Sequence, residues 1–207
     1  MSVKRVTTSC VVAALFVAAA GASAQPVGCE GKPTQEGTNG DDRIEGTQGR
    51  DVIVGLGGDD VIIGKGGDDF LCGNDGNDVL KGEGGSDALH GGLGSDKLVG
   101  AVGSDELNED GPGVNVLDGG PGNDIINSEG GRDRVFAGGG FDTGELGPGD
   151  DVIRSGDGHD RFFAQGGDDK MFGGNGNDTL DGQAGRDEVD GGPGRDTCSN
   201  AEVERSC

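Results

Sequence analysis

The sequence contains no tryptophan and no tyrosine, and only 3% of its 207 residues are aromatic and 30% hydrophobic. A chain so poor in large apolar side chains cannot build an ordinary globular core, because burial offsets too little of the chain entropy. Positive charge is scarce as well: 16 Lys and Arg stand against 39 Asp and Glu, a formal charge of −23. Such a surface repels nucleic acid and anionic lipid and attracts cations. His90 and His159 are the only histidines, so an H-E-x-x-H zinc motif cannot occur. No G-x-S-x-G, phosphate-binding G-x-x-x-x-G-K-[ST] or EF-hand loop is present either. The expectation is a non-enzyme, although paired carboxylates are too frequent here for a search to exclude a glycosidase-like pair.

The first 24 residues differ from the rest. Lys4 and Arg5 precede an uncharged apolar run from Val11 to Ala20, and Ala22-Ser23-Ala24 is an A-x-A cleavage site. Residues 1–24 therefore read as a secretory signal peptide, too short in its apolar run for a membrane span. Its removal takes Cys10 and both basic residues, leaving a mature charge of 14 − 39 = −25. Four cysteines remain, Cys29, Cys72, Cys198 and Cys207, and an even number in an exported chain predicts two disulfides. The expected location is outside the cell, with the periplasm or cell envelope as alternatives.

What the chain does have is 48 glycines in a strict period. From Gly37 it divides into blocks of nine, beginning GTNGDDRIE, GTQGRDVIV, GLGGDDVII and GKGGDDFLC, and ending GGNGNDTLD, GQAGRDEVD and GGPGRDTCS. Eighteen blocks cover 37–108 and 110–199, with Glu109 read as one extra residue between the eighth and ninth. The fourth position is Gly in all 18 blocks, and the sixth is Asp in 17 and Asn115 in the other. The eighth is apolar almost throughout, with Gly144 the clear exception and Cys198 the last member. So long a register cannot arise by chance, and a fixed period of this kind marks a repeat architecture.

Each position has a physical reading. Gly at the fourth permits the positive φ of a tight turn. The seventh to ninth residues alternate out, in, out, as a short strand does. Frequent Gly excludes stable helices. Two blocks then make one coil of 18 residues with a strand on each side, and nine coils at ~4.8 Å each give a roll roughly 40 Å long. Sixth-position carboxylates stacked ~5 Å apart would repel by about 0.8 kcal/mol per pair even in bulk water. Repeating turns that offer carboxylates and carbonyls, and nothing soft, suit calcium, which takes six to eight hard oxygen ligands in loose geometry. A thin core with this repulsion predicts a metal-free chain that is largely unfolded and folds on binding.

The blocks resemble the RTX, or haemolysin-type, calcium-binding nonapeptide G-G-x-G-x-D-x-U-x. The resemblance implies an all-β, right-handed parallel β-roll of about nine 18-residue coils, with Ca2+ ions in two columns. Each ion would lie between the turn of one block and the turn two blocks on, bound by carboxylates and turn carbonyls. The implied metal ligands are Asp42, Asp51, Asp60, Asp69, Asp78, Asp87, Asp96, Asp105, Asp124, Asp133, Asp142, Asp151, Asp160, Asp169, Asp178, Asp187 and Asp196. Sites near block nine, where Asn115 replaces the carboxylate, are the weakest members.

The remaining expectations concern the ends and the surface. Residues 25–36 form an N-terminal cap, 37–199 the roll and 200–207 a C-terminal cap. Cys29 pairs with Cys72 and Cys198 with Cys207, since the other pairings would join the two ends of a long rod. Phe162 leans into the space left by Gly144. Phe136, Phe163 and Phe172, at ninth positions, face outward. The expected function is an exported calcium-binding structural or interaction module. Its partners are calcium ions and cell-surface or matrix components, with no nucleic acid and no membrane span after cleavage. The alternatives are a calcium-dependent extracellular enzyme or enzyme-associated module, and a calcium buffer.

Overall fold

The computed structural model describes residues 32–207. The leader and Cys29 lie outside the described residues. Described residues form twenty strands and no helix. They divide into two ten-stranded sheets, and in each every strand pairs in parallel with the strand two further along the chain. One sheet begins at Gln35–Glu36 and runs through Val52–Gly57 and Phe70–Asp75 to Thr197–Ser199. The other begins at Arg43–Glu45 and runs to Val203–Arg205. This is an all-β parallel β-roll of about ten coils, with a pairing offset of 18 residues: Ile53 opposes Leu71, which opposes Leu89. It exceeds nine coils because Gln35–Glu36 and Val203–Arg205, on either side of the repeats, add a strand to each sheet.

The eighth position builds the core. From Ile53 to Val189 these side chains are fully buried in one continuous stack, closed at its ends by the partly buried Ile44 and Cys198. Stacking identical positions coil on coil lets a strand of three residues bury its one apolar side chain. Many strands exceed the expected three residues, as at Arg134–Gly140. Pairing continues into the first positions of the following block, whose side chains point inward again. Ala137, Leu146 and Ala164, all first-position residues, therefore join the core. A Cβ on Gly144 would come within 2.6 Å of Phe162 Cε1, so the ring fills the space that the glycine leaves.

The turns need positive φ at two positions rather than the one expected. Fourth-position glycines adopt it, as at Gly94 with φ 148°, where a Cβ would also strike the Gly76 carbonyl one coil below. The second position adopts it too, and there Leu56, Lys65, Asn74, Glu83, Ala101, Gln165 and Gln183 all have φ between 64° and 84°. Left-handed backbone costs such residues about 1–2 kcal/mol each, so coil stacking imposes the turn on them.

The register at block nine corrects the sequence reading. Glu109 pairs with Ser128, the first residue of block eleven, and so occupies a regular first position. Gly111 packs on the Gly92 carbonyl and Gly113 on that of Gly94, which places them at the second and fourth positions. Asp110 is therefore the added residue, accommodated in an exposed turn, whereas Glu109 is held inside by strand pairing.

At the surface, Arg154 lies between the Phe136 and Phe172 rings, 5.8 and 5.3 Å from their centroids. Cys72 is buried with Val54 in a second small cluster that includes Leu56 and Phe70. Its expected partner, Cys29, lies outside the described residues. At the other end Cys198 and Cys207 are joined, with Cα atoms 5.7 Å apart.

Candidate metal centre

The sixth-position residues line the two edges where turns enter the sheets. One column holds Asp42, Asp60, Asp78, Asp96, Asn115, Asp133, Asp151, Asp169 and Asp187. The other holds Asp51, Asp69, Asp87, Asp105, Asp124, Asp142, Asp160, Asp178 and Asp196. Apart from the half-buried Asp42 and Asp196, every one of them is buried. The backbone N–H of each donates to the Oδ1 of its successor one coil on, at 2.7–3.0 Å. One carboxylate oxygen per turn is thus spent on coil-to-coil stacking. Glu202 ends the first ladder by accepting the Asp187 N–H at 2.7 Å, a role the repeat pattern does not announce.

The second oxygen decides the chemistry. In 14 of these aspartates Oδ2 is buried with no hydrogen-bond partner. A buried polar atom left unpaired costs roughly 1–3 kcal/mol, more if charged, so a run of them points to a missing partner. The surroundings show what partner fits. A Cβ placed on the first-position Gly73 would lie 2.7 Å from the Gly91 carbonyl oxygen and against Asp78 Oδ2. The same convergence recurs at Gly55, with Asp60 Oδ2 and the Gly73 carbonyl, and at Gly173, with Asp178 Oδ2 and the Gly191 carbonyl. At these glycine first positions a Cβ would crowd the oxygens; blocks eleven to fifteen carry Ser, Ala or Leu there instead. Among the described residues no three ligating side chains come together at one point; at the stations of Asp60, Asp78, Asp124 and Asp178 the carboxylate lies beside a backbone carbonyl of the next coil. Hard oxygens alone, in a loose ring, suit calcium.

Electrostatics agree. Burial raises the sixth-position carboxyls from Asp60 to Asp187 above the ordinary aspartate range, against the pull of the accepted N–H, and neighbouring carboxylates add to the rise at most of them. Asp78, Asp124, Asp151 and Asp160 are pushed up to about 7, and Asp69, Asp105 and Asp169 to about 6. Without a cation these groups take up protons more readily than ordinary aspartates, and a cation would favour the charged form.

Not every station is alike. The Thr38 N–H and hydroxyl donate to Asp42 Oδ2 at 2.6 and 2.8 Å, and Thr47 does the same for Asp51 at 2.6 and 2.9 Å. Burial alone would raise Asp51, but the Thr47 backbone and hydroxyl, with Thr34, outweigh it and hold its carboxyl below the usual value. Ser128 donates its hydroxyl to Asp133 Oδ2. Asn115 keeps the ladder through Oδ1 but turns an unpartnered Nδ2 to where the other blocks place Oδ2. These four stations are closed by protein groups. Sequence reading missed this because Thr at a second position and Ser at a first are silent in the repeat pattern.

The fifth-position side chains form a separate, exposed ladder running the other way. Asp59 Oδ1 accepts the Asn77 N–H at 2.8 Å, and His159 Nδ1 that of Asn177 at 2.7 Å. The histidine is thus a turn residue that stacks coils.

The profile of the RTX calcium-binding nonapeptide repeat (4 copies) matches residues 36–71, 73–107, 110–144, 146–180 and 163–198. The chain belongs to this family. Comparison with curated proteins finds no match. The RTX repeats carry calcium-binding turns on a structural β-roll, and the orphaned Oδ2 atoms fit the ion that the family's name implies.

Proposed function

We propose that the mature chain is an exported calcium-binding module whose RTX roll folds as Ca2+ enters the two columns, and that the folded roll serves a structural or interaction role. The observation that carries this reading is the set of buried Oδ2 atoms without partners, several of which face a backbone carbonyl of the next coil, as at Asp60, Asp78, Asp124 and Asp178. Asp60, Asp69, Asp78, Asp87, Asp96, Asp105, Asp124, Asp142, Asp151, Asp160, Asp169, Asp178, Asp187 and Asp196 are the proposed ligands. Asp42, Asp51 and Asp133 serve mainly as ladder residues. The charge of −23 supports a preference for cations and for uncharged or basic surface partners.

Export rests on the basic, apolar and A-x-A segments of residues 1–24, and cleavage before Gln25 is expected. Calcium outside cells is abundant enough to saturate millimolar sites, which suits a protein that folds on arrival. Cys29 with Cys72 completes the proposed disulfide set. Far-UV circular dichroism of the mature protein tests the central reading. Chelator should give a disordered spectrum and millimolar calcium a β-rich one; a β signal unchanged by chelation would overturn coupled folding. N-terminal sequencing of the exported protein and non-reducing peptide mapping test the cleavage and the pairing.

A further inference from the structure

Among the described residues Glu109 is the only buried acidic side chain outside the sixth positions. It is 1% exposed, and neither carboxylate oxygen has a hydrogen-bond partner. It stands at a first position, where every other block from the first to the tenth has glycine. From there its side chain reaches back one coil into the cradle of block seven. A Cβ on Gly91 would meet Glu109 Oε1, Cδ and Oε2 before any other group. At Gly55 and Gly73, the corresponding points in the coils below, the block's own Asp60 and Asp78 Oδ2 stand there instead. The block-seven aspartate is Asp96, the charged neighbour that Glu109 feels most; the two carboxyls lie within hydrogen-bond reach of each other, and Asp96 Oδ2 is buried with no protein donor.

Three unpartnered carboxylate oxygens thus converge at one station, whereas the others offer one. The next two stations of the same column have lost theirs: Asn115 presents an amide nitrogen, and Ser128 occupies Asp133 Oδ2. An amide N–H2 repels a cation where a carboxylate attracts it. Asn115 removes one negative charge from the column, and Glu109, six residues earlier, returns it one coil lower.

We infer that Glu109 is a calcium ligand, which makes the station it shares with Asp96 the most strongly charged and the tightest in the first column, and that the two stations after it hold no ion. This ligand role rests on the calcium reading of the columns. The rival is a neutral Glu109 that carries a proton and packs against Asp96 in place of an ion, and Glu109→Gln distinguishes the two because glutamine is the neutral, equal-sized stand-in.

Bound calcium is counted by native mass spectrometry on the full mature chain, with circular dichroism recording folding. E109Q leaves the Asp96 station with the single carboxylate oxygen of the other open stations and should fold at severalfold higher calcium than wild type. N115D should bind one ion more, and E109Q/N115D should keep that added ion while folding at higher calcium than N115D. E109Q with the wild-type calcium midpoint overturns the ligand role and supports the proton; N115D with no added ion overturns the empty station. If E109Q does not fold at any calcium concentration, E109D decides: folding with the wild-type count upholds the role of the charge, and failure of both makes Glu109 a packing residue and ends the inference. A wild-type chain that binds no calcium ends the broader reading instead.

Discussion

The two edges of the roll carry the same repeat and yet differ. The column from Asp51 to Asp196 is open without interruption from Asp69 onward, each Oδ2 buried and unpartnered. The column from Asp42 to Asp187 is open from Asp60 to Asp96, closed at Asn115 and Asp133, and open again from Asp151. Backbone, ladder bonds and burial are alike on both edges, so on the proposed reading a carboxylate at the sixth position does not by itself make an ion site. What makes one is a carboxylate oxygen that the protein leaves without a partner. A single hydroxyl, at Ser128, is enough to satisfy it.

The largest expected effect should erase the difference between the edges. In calcium-free buffer seven of the open carboxyls, Asp69, Asp78, Asp105, Asp124, Asp151, Asp160 and Asp169, have folded-state values raised to about 6 or 7, above the ordinary aspartate value. The folded form then binds more protons than the unfolded one between about pH 4 and 7. The stability this confers is full below the unfolded value and is lost as pH rises through the folded values. The calcium-free chain should accordingly gain β structure as pH falls from 8 to 5, protons standing in for ions, and the calcium midpoint should rise over the same range. An ion-free spectrum no more β-rich at pH 5 than at pH 8 would falsify this account of the columns.

Asp69→Asn against Asp133→Asn sharpens the comparison. Asparagine keeps the ladder bond and removes only the second carboxylate oxygen. D69N empties an open station and should lose one ion, worth about 2.7 kcal/mol of stability at free calcium a hundred times its Kd. D133N alters a station already closed and should leave the ion count unchanged. Equal losses in calorimetric titration would mean that the edges do not differ.

A smaller effect comes from the core beside the closed stations. Gly144→Leu would drive a side chain into the Phe162 ring and should cost about 1–3 kcal/mol, as overpacking does. Phe162→Leu in the same chain should recover part of it, and a melting temperature unmoved by G144L would place Gly144 elsewhere. The smallest change is Asp59→Ala on the outer ladder. It removes the acceptor of the Asn77 N–H at an exposed turn and should cost no more than about 1 kcal/mol, with the calcium midpoint held. A shift as large as that of D69N would move the ion sites to the fifth position.

Much of this was legible in the sequence, and the boundary of legibility is physical. Gly at the fourth position, Asp at the sixth and an apolar eighth specify turn, edge and core, because each answers a steric or polar demand that recurs in every coil. Spacing could not say whether Glu109 or Asp110 was the added residue. Only pairing with Ser128 decides it, and with it whether a carboxylate lies inside or outside. Nor does the pattern reveal that Leu56 or Lys65 adopts positive φ, since the constraint comes from the neighbouring coil rather than from the residue. Thr38, Thr47 and Ser128 look like ordinary variation until their hydroxyls are seen on the aspartates.

The ladder of sixth-position N–H donors has a direction. Each coil's donor is met only by the coil that follows, so a roll halted at any point leaves its last donor dangling until another turn winds on. At the start, Pro33 has no N–H to give to Asp51, and the Thr34 hydroxyl serves Asp51 Oδ1 instead at 3.2 Å. At the finish Glu202 receives the last donor of the first column. Between the ends of each column the ladder bond itself repeats from coil to coil, through Asn115 and across the added Asp110 alike. The molecule can therefore be lengthened or shortened in whole coils of 18 residues like a spliced rope, provided the Thr34 and Glu202 ends are kept.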